Sequence, residues 1–153
     1  MASDIIVVER ALLKSKPFRR LNGTAKTVYF YFLMKCRVKS RTPKPGRKKV
    51  RDILNNGEIE YCYSEAEKRD IPRASFMRGI DSLVKYGFID IAHSGSGGKK
   101  GDKSLYAISD RWRAWGTDEF ISASRPKDTR GGRGFKKGEL HWYWQKTAKE
   151  IFG

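Results

Sequence analysis

A chain of 153 residues with 39% hydrophobic and 12% aromatic side chains has the material for one domain, a core of about 100 residues with basic extensions. Thirty-three Lys and Arg against 17 Asp and Glu leave a formal net charge of +16, which favours a polyanionic partner, nucleic acid before any other. No run approaches the ~18 apolar residues of a membrane helix, and Cys36 and Cys62 stand alone, which argues against a membrane partner, a disulfide framework and a zinc site.

In chain order, Asp4-Ile5-Ile6-Val7-Val8-Glu9 is too short and too acid-flanked for a signal peptide, so a soluble, cytoplasmic protein is expected, nucleoid-associated in a bacterium. Residues 1–16 read as an N-terminal extension, and the domain is expected over 17–120. Phe18 and Leu21 should dock beside a first helix in which Ala25, Val28, Tyr29, Phe32, Leu33 and Cys36 trace one face and Thr24 supplies the cap. Both cysteines read as small buried apolar residues. Lys35 to Arg51 carries nine basic residues and no acid, and Pro43, Pro45 and Gly46 keep it from being one helix. Read as a basic loop over 38–52, it offers Arg47, Lys48, Lys49 and Arg51 for phosphate contacts that carry no sequence information. A solvated loop is the plainer reading.

Ile59 to Tyr63 alternates as a strand does, with Tyr61 and Tyr63 expected in the core. Ser64 stands three residues before Glu67, a capping-box spacing that predicts a short helix ended by Asp70-Ile71-Pro72. Pro72 breaks one helix and opens the next, expected from Arg73 to Tyr86. There Phe76, Ile80, Leu83 and Val84 share one face of a 3.6-residue period and should enter the core, with Arg73, Met77, Arg78, Asp81 and Lys85 pointing elsewhere. Gly79 lowers helix propensity, which suggests a close approach there. Gly87 suits the helix C-terminus, and Ile89 with Ile91, then Tyr106 with Ile108, alternate as half-buried strands. Between them, Gly95 to Lys103 is too glycine-rich to pack and unusually basic for a connector.

Trp112 and Trp115, three apart, are expected to pack over the core; exposed, they would suit a homodimer contact. Residues 121–153 read as a basic, flexible tail with a terminal helix over Glu139 to Phe152. Within it the run Arg-Gly-Gly-Arg-Gly-Phe resembles segments that bind RNA or single strands by charge and stacking.

The run EAEKRDIPRASFMRGIDSLVKYGFID over Glu65 to Asp90, with the glycine and lysine hairpin after it, resembles the winged helix-turn-helix family, including small regulators and replication initiators of bacteria, phages and plasmids. The resemblance departs from the family at Pro72, where a capping Ser or Thr is common. It implies an α+β fold with a three-helix core, a small antiparallel sheet, a wing hairpin and a basic C-terminal extension. The helix Arg73 to Tyr86 would be the recognition helix. On that docking geometry Arg73 and Arg78 are candidates for guanine or phosphate, Ser75 for a donor or acceptor contact and Met77 for a thymine methyl. Lys99, Lys100 and Lys103 in the wing would hold phosphates, with glycines letting the backbone come close.

The expected function is duplex DNA binding by a transcriptional regulator. Initiation of phage or plasmid replication, or service as a DNA- or RNA-binding subunit of a larger nucleoprotein assembly, is the alternative. An enzyme such as a nuclease would need clustered acids for a metal, or a histidine beside a nucleophile. Glu65, Glu67, Asp70 and Asp81 read instead as helix-surface and turn residues, and His93 and His141 as having no ligand set. No catalytic residue, metal ligand or cofactor is assigned.

Overall fold

The computed structural model describes residues 5–95 and 102–126, which form an α+β fold with five helices and two small antiparallel sheets. Two short helices, α1 (Arg10–Lys14) and α2 (Lys16–Arg20), precede the first expected helix. Ser15 joins them, its hydroxyl donating to the Leu12 carbonyl (2.6 Å) and accepting from the Phe18 N–H (3.3 Å). Leu12, Phe18 and Leu21 are all buried in the core, and Glu9 pairs with Arg113 at 2.7 Å. The packed unit therefore begins before Pro17, and residues 10–16 are part of the fold.

Helix α3 (Gly23–Lys35) buries Ala25, Val28, Tyr29 and Phe32, as the periodicity predicts. Its cap is Asn22 and not Thr24: the Asn22 Oδ1 accepts from the Ala25 N–H at 2.8 Å, which places Thr24 inside the first turn. Cys36 and Cys62 are half-buried, not buried. Burial still pushes the Cys36 thiol up to about 11, so it packs protonated, donating to the Phe32 carbonyl.

The basic stretch after α3 is not a featureless loop. Strands β1 (Val38–Arg41) and β2 (Val50–Ile53) pair antiparallel, with Val38 opposite Ile53 and Arg41 opposite Val50. The prolines that forbid a helix lie in the turn, where Gly46 adopts a φ of +78°. Asn55 ties the base of this ribbon to α3, accepting from the Arg37 N–H (2.8 Å) and donating to the Lys35 carbonyl (3.0 Å).

Strand β3 is shorter than its sequence pattern suggests, Ile59–Glu60, and α4 begins at Tyr63 (Tyr63–Lys68). The Ser64 capping box does not form. Cys62 is the cap position: its carbonyl accepts from the Ala66 N–H (3.2 Å), and its sulfur lies 3.0 Å from the Ser64 hydroxyl. Tyr61 is buried, whereas Tyr63 is half-buried with its ring edge on Phe76.

Asp70 ends α4 at φ +61°. The Ile71 N–H returns to the Ala66 carbonyl (2.9 Å) and the Asp70 N–H to the Glu67 carbonyl (3.1 Å), a Schellman motif with buried Ile71 against buried Ala66. Aspartate tolerates this left-handed geometry, glycine adopts it freely and alanine does not. Asp70→Ala should cost ~1 kcal/mol in urea unfolding while Asp70→Gly matches or slightly exceeds wild type; equal losses would mean that the turn relaxes to another conformation.

Helix α5 (Arg73–Lys85) buries Phe76, Ile80, Leu83 and Val84 against α3. Gly79 is the close approach: a β-carbon there would lie 3.5 Å from the Ala25 Cα, so the neighbour it admits is helix α3. Strands β4 (Ile89–His93) and β5 (Leu105–Ile108) pair antiparallel, and β3 adds to β5, giving the order β3-β5-β4. Beyond β5, a 3-10 turn (Arg111–Ala114) stacks Trp112 on Phe88, and Trp115 lies half-buried on Tyr86. Packing over the core is thus the arrangement found for Trp112, whereas Trp115 lies at its margin, between Tyr86 and Arg20. Residues 121–126 do not hang free: Ala123 packs against the core and Ile121 accepts from Arg111. The rest of the expected tail, with His141 and the terminal helix, lies outside the described residues. No helix among the described residues is long and apolar enough to cross a membrane.

Candidate nucleic-acid interface

Because α5 buries one stripe, its period turns Arg73, Met77, Arg78, Asp81 and Lys85 outward, and all five are exposed. Ser75, at the margin of the stripe, is half-buried. The helix opens on Pro72, which supplies no side-chain cap, and its first turn holds no acid. The partial positive charge of the N-terminus therefore adds to Arg73. The Arg73 guanidinium lies over the Tyr63 ring, 4.4 Å from its centroid, which limits its freedom and presents it beside the helix start. Arg78 reaches the Ser75 hydroxyl at 3.5 Å. Among the described residues no ion pair joins Arg78 to Asp81 or Asp70; Asp81 is bound by Arg125 instead.

The hairpin β4–β5 stands beside this face in the chain. A register shift between Ile91 and His93 marks an irregularity near its far end. Past the strands, the Gly95 N–H donates to the Ser104 hydroxyl (3.0 Å), and His93 Nε2 meets Asp102 Oδ1 at 2.7 Å. His93, read from sequence as having no ligand set, meets a single acid across the hairpin. Lys103 is exposed, its Nζ 3.5 Å from Glu60 of β3. A surface pair of this kind is worth little to stability. Lys99 and Lys100 lie outside the described residues.

The β1–β2 ribbon carries Arg47, Lys48, Lys49 and Arg51, every one exposed. Arg41 pairs with Asp52 across it at 2.6 Å. Its root adjoins α4, where Lys35 Nζ lies 2.5 Å from Glu65 Oε2. Burial raises the Glu65 carboxyl, but Lys35 and Arg69 outweigh it and hold the group below the usual glutamate range. Arg69 in turn lies over Tyr31, 4.2 Å from the ring centroid. These contacts brace the ribbon base, the end of α3 and the start of α4 against one another.

Arg125 is the residue that sequence reading assigned to the tail and the structure places on α5. Its Nε donates to Asp81 Oδ1 at 2.8 Å and its Nη2 to the Met77 carbonyl at 3.2 Å. Partial burial disfavours the guanidinium charge, and Asp81 more than offsets it. Nothing local announces the contact, since the partners are 44 residues apart. Comparison of the chain with protein-family models, curated proteins and solved structures finds no match in any of the three.

Proposed function

We propose that this chain is a winged helix-turn-helix protein that binds duplex DNA, with α5 in the major groove, the β4–β5 hairpin as wing, and regulation of transcription as its use. One observation carries the reading: α5 buries its apolar stripe on α3, leaves a basic face exposed, and leads directly into an antiparallel hairpin that β3 completes. The uncapped, acid-free first turn and the ring-stacked Arg73 support it, because recognition helices meet base edges with their N-terminal residues. The ribbon residues Arg47, Lys48, Lys49 and Arg51 serve as phosphate contacts that set affinity and not sequence.

Selection of bound fragments from a random duplex pool tests the reading, followed by salt-titrated binding of the winner and a scrambled duplex. A motif should emerge. Changing the four ribbon residues to alanine together should weaken both duplexes alike and lower the slope of log K against log salt by about 3.6, near 0.9 for each lost phosphate contact. Equal affinity for winner and scrambled duplex, or tighter binding of single-stranded RNA than of either, would sink the proposal.

A further inference from the structure

We propose that Arg125 completes the recognition surface by cancelling the charge of Asp81, so that the strap formed by residues 121–126 and helix α5 meet DNA as one surface. The inference rests on the DNA-binding reading above and deepens it. Asp81 is the one acid in α5, and it stands on the outward face one turn beyond Met77. A carboxylate there would repel the phosphates that Arg73, Arg78 and Lys85 attract. The structure supplies a counter-charge from outside the helix: Arg125 binds Asp81 and, with its second nitrogen, the Met77 carbonyl a turn earlier.

The strap that brings Arg125 there is held. Arg111 donates to the Ile121 carbonyl (2.9 Å) while itself anchored on Asp90 (2.7 Å) and on the carbonyls of Val84 (2.9 Å) and Ile89 (3.1 Å). Ala123 packs against the core. Arg125 and Asp81 keep side-chain exposures of 32% and 49%, so as a stabilising pair they contribute little to the fold. What their pairing changes is the field on the face. The strap meets α5 at Met77 and Asp81 and also reaches the Tyr63 side chain, on whose ring Arg73 lies. Arg73 and Arg78 stay exposed beside it, which argues that it lines the surface and does not block it.

A double-mutant cycle on the full chain tests this, using a mixed-sequence duplex two helical turns long at low salt. Wild type, Arg125→Ala, Asp81→Asn and the double variant are compared, with thermal melts confirming that each is folded. Because the two charges add at the surface, Arg125→Ala should weaken binding about tenfold and Asp81→Asn should tighten it by a similar factor, the double variant returning to within about twofold of wild type. Unchanged or tighter binding by Arg125→Ala overturns the inference, the tighter case making the strap a cover. A double variant that binds as weakly as Arg125→Ala also overturns it, by making Arg125 an ordinary phosphate contact that owes nothing to Asp81. The joint variant Arg73→Ala with Arg78→Ala, measured on the selected duplex, separates the two levels: if it binds that duplex as wild type does, or wild type ignores duplex DNA, the DNA reading falls and the inference with it. If that variant loses binding and Arg125→Ala does not, the inference falls alone.

Discussion

Gly87→Ala should destabilise the protein by about 3–5 kcal/mol, combining left-handed backbone strain with overpacking against backbone. Gly87 ends α5 at φ +87°, with its N–H returned to the Val84 carbonyl and that of Phe88 to the Leu83 carbonyl. That Schellman turn delivers Phe88 and Ile89, both fully buried, into the core. A β-carbon on Gly87 would lie 2.6 Å from the Trp112 nitrogen and 2.8 Å from the Arg111 carbonyl carbon. Those are backbone atoms of the 3-10 turn, and they cannot swing aside as a side-chain tip can. The turn is also tied down, because the Trp112 N–H donates to the Gly87 carbonyl at 3.1 Å and its ring stacks on Phe88. Gly116 is the control. Its φ is +85°, but no atom lies within 4 Å of a β-carbon there, so Gly116→Ala should cost only the strain, ~1 kcal/mol. Urea unfolding followed by circular dichroism measures both. Similar losses at the two sites would mean that the 3-10 turn yields without resistance.

Replacing Arg73 and Arg78 together by alanine should reduce the ratio of affinities for selected and scrambled duplex about a hundredfold, at 1–3 kcal/mol of discrimination for each bidentate arginine. Both side chains are exposed on the outer face of α5, so the fold should lose no more than ~1 kcal/mol, chiefly the stacking of Arg73 on Tyr63. The ratio is the informative quantity. A phosphate contact weakens both duplexes equally, whereas a base contact weakens only the one it reads. A ratio that stays constant while both affinities fall would return Arg73 and Arg78 to the class of the ribbon residues. A ratio and affinities that both stay constant would remove α5 from the interface.

The helix α5 and its surroundings were legible because each signal there is local. Four apolar residues at helical spacing, a proline before the first turn and a glycine after the last define the element and its buried side. The structure puts Phe76, Ile80, Leu83 and Val84 in the core accordingly. Where local signals compete, the reading slipped by a residue or two. Asn22 and Thr24 are both capping residues, and the cap went to the one whose side chain reaches the Ala25 N–H. Ser64 has capping-box spacing, but the cap falls two residues earlier, at Cys62, whose carbonyl accepts the first helical bond. The β1–β2 ribbon was hidden by its own composition, since β1 is exposed throughout and β2 over its first half, so neither shows an apolar alternation.

By itself, then, the sequence determined the α+β class, the buried side of α3 and α5, the break at Pro72 and the turn at Gly87, since backbone preferences and side-chain periods act over a few residues. It also determined the charge, and with it the class of partner to propose. Only the tertiary structure decided that Leu12 belongs to the core, that His93 faces Asp102, that Arg111 gathers Asp90, Val84, Ile89 and Ile121, and that Arg125 lies on α5. Most of these are contacts between residues tens of positions apart. No local preference encodes them, because they exist only once the packing of α3, α5 and the sheet has brought distant segments of chain together.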